Sequence, residues 1–152
     1  MFKILFVCHG NICRSPLAEF VMKQMTSQAK VADNFEIASA ATSSEEIGNP
    51  VYPPVRELLL KYNVPFTTHR ARRMTRDDYE YYDLIVVMDK RNLSNIVRIT
   101  GADEDEKIHL LLEYAGRPGA EVADPWYCGN FEQTWRDVNA GCRGLLDKLL
   151  NK

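Results

Sequence analysis

Residues 3–20, "KILFVCHGNICRSPLAEF", constrain the fold more than any other stretch of the chain. "KILFV" is a short apolar run without alternation, the pattern of a strand covered on both faces and therefore of a parallel sheet. A loop from Cys8 to Arg14 follows. A helix then starts at Ser15, with Pro16 in its first turn and Leu17, Phe20, Val21 and Met25 at helical spacing. Strand, loop and helix in that order make the first half of a βαβ unit.

The rest of the chain repeats the alternation. "FEIAS" (35–39), "DLIVVM" (83–88) and "EKIHLL" (106–111) read as further strands. Helices are expected from Pro54 to Asn63, after Asp89 as N-cap, and from Phe131 onward, where Phe131, Trp135, Val138, Cys142, Leu145 and Leu149 form an apolar stripe. Residues 42–54 and 115–130 read as loops broken by Gly and Pro. Right-handed crossovers make this a single α/β domain whose ligands bind at the carboxyl ends of the strands. The loop after "KILFV" has that address.

Composition narrows the function. A net charge of -2 on 152 residues argues against a general nucleic-acid or membrane-surface binder, so any anion site must be local. No apolar run approaches the ~18 residues of a membrane-spanning helix, and no signal peptide is read at the start. Cys8, Cys13, Cys128 and Cys142 show no metal-type pairing, so the thiols are expected to stay free in a reducing, cytoplasmic setting.

A glycine-containing loop that opens a helix presents backbone N–H groups and a positive dipole end to an anion. The loop lacks the lysine of a Walker-type motif and two of the three glycines of a dinucleotide fingerprint. What it has is Cys-x5-Arg. The dipole, the amides and a guanidinium all stabilise negative charge on a sulfur beneath them. Arg14 offers two parallel donors to a phosphate, Ser15 a hydroxyl to the sulfur, and Asn11 tolerates the left-handed backbone of a tight loop. Read alone, Cys8 is equally a small buried hydrophobe and Arg14 a surface charge.

"CHGNICRSP" resembles the signature of the low-molecular-weight protein tyrosine phosphatases. The resemblance continues in "SAAT" (39–42), "EIGNP" (46–50), "HRAR" (69–72), "MDKRN" (88–92) and "DPWY" (124–127), across nearly the whole chain and in the family's order. It implies a three-layer α/β domain with a four-stranded parallel sheet flanked by helices. It also implies hydrolysis of phosphotyrosine in protein substrates through a cysteinyl-phosphate, with inorganic phosphate as product and no metal or organic cofactor. The matching positions are Cys8 as nucleophile, Arg14 as clamp and Asp124 as general acid and base. His9, Gly10, Asn11, Ile12, Cys13 and Ser15 would build the cradle, and Trp126 and Tyr127 would wall the pocket. Ser39 and His69 would hold the loop with Asn11 and Ser15, and Cys13 could form a reversible disulfide with Cys8. Tyr127 matches a tyrosine phosphorylated in some members.

Two features bear on substrate choice. Glu45 stands near where relatives often carry an aromatic, so it would repel acidic phosphopeptides and remove a stacking wall, while His9 could add positive charge. Rival readings are a phosphoarginine or small-phosphoester phosphatase on the same site, an arsenate reductase, and a non-catalytic phosphotyrosine-binding module. The reductase is disfavoured because "LIVVMDKRNLSN" holds no cysteine for an electron relay. The binding module has no reason to keep both Cys8 and Asp124. A monomer is expected, since no long apolar stripe lacks an intramolecular partner.

Overall fold

Strand β1 (Phe2–Cys8) is flanked on both sides by parallel neighbours, as its unbroken apolar sequence requires. The computed structural model describes residues 1–151. The sheet order is β2-β1-β3-β4, with β2 at Phe35–Ala41, β3 at Leu84–Val87 and β4 at Ile108–Leu110. Ile4 lies opposite both Ile37 and Leu84, and the alternating residues divide cleanly between two cores. Ile4, Phe6, Val86 and Met88 face α1 (Arg14–Gln28) and α6 (Phe131–Leu150); Leu5, Val7, Ile85 and Val87 meet Met74, Tyr79 and Ile96 on the other side. Tyr79 and Ile96 belong to α3 (Arg76–Tyr81) and α4 (Lys90–Thr100). Helix α2 (Pro53–Lys61) borders α6, and a four-residue helix α5 (Pro125–Cys128) sits before it.

The chain leaves β1 toward β2 on one side and later returns to place β3 on the other. That reversal makes the carboxyl ends of β1 and β3 the natural ligand crevice of the fold. Cys8 closes β1 and Asp89 follows β3, so topology brings the candidate nucleophile and the Asp89 carboxylate to the same end of the sheet.

Several boundaries differ from expectation. The fourth strand is only Ile108–Leu110; Leu111 instead opens a 3-10 turn, Leu111–Ala115, that ends on left-handed Gly116. The turn is held against α6, where a Cβ on Gly144 would stand 1.8 Å from the Tyr114 carbonyl oxygen. Helix α3 was not anticipated, because its sequence "RDDYEY" is too short and too charged to show an apolar period. A capping box between Thr75 and Asp78 starts it. Helix α5 interrupts the segment read as one loop from 115 to 130.

Candidate active site

The Cys8–Arg14 loop carries its left-handed residue at Asn11 (φ 59), not at Gly10, whose φ is not positive. Helix α1 has no side-chain cap at Cys13 and no acidic residue in its first turn, so its amides are left to serve an external anion. Cys8 is buried; its Sγ stands 3.0 Å from Ser15 Oγ and accepts the Asn11 amide at 3.3 Å.

The strain of the Asn11 conformation is held by a directed hydrogen-bond network. Asn11 is fully buried and its Nδ2 donates to Ser15 Oγ (2.8 Å) and to Ser39 Oγ (2.9 Å). Ser39 in turn donates to Glu19 Oε1 at 2.5 Å, and Lys23 donates to Glu19 Oε2 at 2.6 Å. The Arg72 amide donates to Asn11 Oδ1 (3.2 Å). His69 Nε2 meets the Asn11 carbonyl at 2.8 Å; a carbonyl only accepts, so this nitrogen carries the hydrogen. Because Asn11 supplies the proton in its bond with Ser15, the Ser15 hydroxyl hydrogen can serve Cys8 Sγ at 3.0 Å, with the Ala40 carbonyl at 3.5 Å as the competing acceptor.

Arg14 is not a surface charge: it is 2% exposed. Its Nη1 donates to Asp89 Oδ2 at 2.7 Å and to the Val122 carbonyl at 2.8 Å, while Nη2 reaches Asp124 Oδ2 at 3.4 Å. Burial works against its charge, but the negative charge at Cys8, the Asp89 hydrogen bond and Asp124 outweigh it and raise the Arg14 pKa. Asp89 has two tasks, since its Oδ1 also caps α4 through the Asn92 amide at 2.8 Å. Asp124 is the N-cap of α5: the Trp126 amide donates to its Oδ1 at 3.0 Å, leaving Oδ2 toward Arg14.

These groups enclose a cavity of about 110 Å³ lined by Cys8, Arg14, Asp124, Trp126 and Tyr127, among others. His9, Gly10, Ile12, Cys13, Glu45 and Glu46 complete its wall. Trp126 is half-exposed and leans on Tyr52, with ring centroids 4.8 Å apart, and Tyr127 is exposed at the mouth. Burial, with the negative charges of Cys8 and Asp124, pushes the Cys13 thiol up, so Cys13 is held as a neutral thiol; both it and Cys8 are free. At the rim His9 Nε2 donates to Glu45 Oε2 at 2.8 Å, so the expected acidic and basic features meet as a pair.

The family model described as "Low molecular weight phosphotyrosine protein phosphatase" matches residues 3–152. The chain belongs to this family. A Bacillus subtilis relative, low molecular weight protein-tyrosine-phosphatase YfkJ, is 33% identical over 98% of this chain and 96% of its own. The low molecular weight phosphotyrosine protein phosphatase of Gallus gallus is 38% identical over 95% of this chain and 94% of its own. The crystal structure of YfkJ superposes with a TM-score of 0.95 at 32% identity, covering 99% of this chain and 96% of that one.

Within this phosphatase family site, sequence reasoning missed Glu19 and the full task of Asp89. Glu19 lies off the Leu17–Phe20–Val21–Met25 stripe and four residues before Lys23, the spacing of a solvated ion pair, so nothing in the sequence marks its burial. Glu46 borders the cavity and Tyr52 backs Trp126 from outside it, and neither carries a local signal of that role.

Proposed function

We propose that the chain hydrolyses phosphotyrosine in protein substrates in two steps. Cys8 Sγ, as thiolate, attacks phosphorus while the loop amides and the Arg14 guanidinium hold the three equatorial oxygens. Asp124 gives its proton to the departing phenolate oxygen, whose pKa of ~10 makes it a poor leaving group at neutral pH. Asp124, now a carboxylate, takes a proton from water as that water attacks the cysteinyl-phosphate. The P–S bond breaks, inorganic phosphate leaves, and the thiolate returns. Side chains, loop amides and water supply every group that the two steps use. Ser15 donates to the sulfur when it departs, and the Asn11–Ser39–Glu19 chain keeps the cradle in shape between turnovers.

The observation that carries this reading is the joint presence of Cys8, Arg14 and Asp124 on one small cavity at the strand ends. Trp126 and Tyr127 at its mouth favour an aromatic leaving group over the aliphatic chain of phosphoarginine or a small phosphoester. The free thiols fit a reducing compartment such as the cytoplasm, and a monomer suffices because one chain supplies every group named. Among the described residues no helix is long and apolar enough to cross a membrane.

The test compares a phosphotyrosine peptide with para-nitrophenyl phosphate, whose leaving group needs no proton. Cys8→Ser should lose at least about a thousandfold on both substrates. Asp124→Asn should slow the peptide far more than the nitrophenyl ester. Equal slowing of both substrates by Asp124→Asn would remove the general-acid role. Faster turnover of a matched phosphoarginine peptide would overturn the substrate assignment.

A further inference from the structure

A second cleft of about 520 Å³ opens beside the catalytic cavity, and His9 borders both. Arg73, Arg91 and Arg98 line it. Among the described residues none of these three guanidiniums has a carboxylate within ion-pair distance or a hydrogen-bond acceptor, whereas Arg14, Arg72 and Arg117 are each paired. Three uncompensated charges in one cleft run against the chain's net charge of -2.

The placement is unfavourable only at the start of α4, since Arg98 in the last turn complements the helix dipole. Arg91, Ser94, Asn95 and Arg98 fall on one face of α4 at helical spacing. Arg91 and Lys90 stand in the first turn of α4, which holds no acidic residue, so their charges add to the positive end of the helix instead of opposing it. Arg73 is fixed by a parallel bridge between its backbone and Ala41 at the end of β2. Thr42, next in sequence, lines the cleft and is buried, and its Oγ1 has no hydrogen-bond partner. Three free guanidiniums on one cleft are a donor set for an anion, and the unpartnered Thr42 hydroxyl lies buried in its wall.

The floor of the cleft is tied to the nucleophile's own strand. The Thr42 amide donates to the Cys8 carbonyl at 2.9 Å, and the Ser43 hydroxyl to the His9 carbonyl at 2.9 Å. An extended peptide advances ~3.3 Å per residue, so a side chain a few residues from a bound phosphotyrosine reaches a neighbouring cleft.

We propose that the Arg73–Arg91–Arg98 cleft is a second anion subsite, which holds an acidic or phosphorylated side chain flanking the phosphotyrosine of the same polypeptide substrate. This rests on the phosphatase reading and specifies its substrate class. A protein substrate that spans both sites is favoured over a nucleic acid because His9 borders both cavities and the chain's net charge is -2. His9, the residue the two sites share, is held in place at their common edge by its hydrogen bond to Glu45.

The experiment measures kcat/KM for para-nitrophenyl phosphate and for matched phosphotyrosine peptides. The peptides carry neutral residues, aspartates or one phosphoserine within four positions on either side. At low salt the wild type should prefer the phosphoserine peptide in one register over the neutral one by about tenfold, or ~1.4 kcal/mol. R91Q/R98Q and R73Q should abolish or shrink that preference and leave nitrophenyl phosphate turnover unchanged. Thr42→Val should weaken the phosphoserine preference without lowering the thermal midpoint, because removing an unsatisfied hydroxyl costs the free protein little. No flank preference in either register, or equal slowing of all substrates by the arginine variants, overturns the proposal. Inhibition by a single-stranded oligonucleotide that R91Q/R98Q relieves, without a flank preference, assigns the cleft to nucleic acid and also overturns it. Absence of nitrophenyl phosphate turnover by the wild type is a separate failure, that of the phosphatase reading. Titration of the phosphoserine and neutral peptides onto the Cys8→Ser variant then still decides the subsite.

Discussion

Asp89 joins stability to catalysis, and two substitutions separate its tasks. One carboxylate oxygen caps α4 and the other holds the buried Arg14 guanidinium at 2.7 Å. Asparagine caps a helix nearly as well as aspartate, so Asp89→Asn keeps the cap through its remaining oxygen but turns an NH2, which cannot accept, toward Arg14; the charge and that hydrogen bond are lost together. Breaking a fully buried ion pair costs about 3–5 kcal/mol. Two features reduce that here: Asp89 is 19% exposed at its side chain, and Arg14 keeps the Val122 carbonyl and Asp124. A loss of about 2 kcal/mol is expected for Asp89→Asn, and about 1 kcal/mol more for Asp89→Ala, which also loses the cap. Denaturant unfolding reads both. Arg14 then leans on Asp124, drawing the general acid toward the guanidinium, so kcat should fall by at least about tenfold with a smaller change in KM. If Asp89→Asn unfolds at the wild-type denaturant midpoint and turns over at the wild-type rate, the claim that Asp89 positions Arg14 is wrong.

Other outcomes follow from the same geometry. Gly144→Ala forces a Cβ onto the Tyr114 carbonyl, where 1.8 Å is available, so it should cost more than the ~1–3 kcal/mol of ordinary overpacking and show as a large fall in thermal midpoint. Ser39→Ala leaves an Asn11 amide hydrogen and Glu19 Oε1 without their partner; about 1–3 kcal/mol of stability should go, and inorganic phosphate should inhibit more weakly. Burial works against the charge of Asp103, but hydrogen bonds from the Tyr79 hydroxyl and the Ile108 and Lys107 amides hold its carboxyl below the usual range. A depressed folded pKa stabilises above the ordinary carboxylate value of ~3.9 and the contribution is lost as pH falls through the folded value. The stability gap between wild type and Asp103→Asn should therefore be constant near neutrality and close below about pH 4 in acid titrations followed by circular dichroism.

What was legible in the sequence is what local chemistry dictates. "KILFV" and "DLIVVM" read as buried strands because both faces of a central parallel strand are covered, and the loop after Cys8 showed its purpose through residue types at fixed spacing. The directed network around Asn11 was only half visible: Ser39 and His69 entered through family resemblance, while Glu19 looked like one more charge on a helix. Arg14 gives no local sign that it is buried, because Asp89 and Val122 lie 75 and 108 residues away in sequence. The His9–Glu45 pair and the unpartnered arginines of the second cleft also arise only when distant segments meet. Helix α3 escaped because it is too short for a period, although Thr75 and Asp78 stand at capping-box spacing.

The central claim is that Cys8 carries the phosphoryl group between the two steps. The most direct measurement is mass spectrometry of enzyme quenched in acid during turnover of para-nitrophenyl phosphate, using Asp124→Asn to slow the second step. One added phosphoryl group is expected on the peptide that contains Cys8, and none in Cys8→Ser. Turnover with no phosphorylated Cys8 peptide, or with phosphate on another residue, contradicts it.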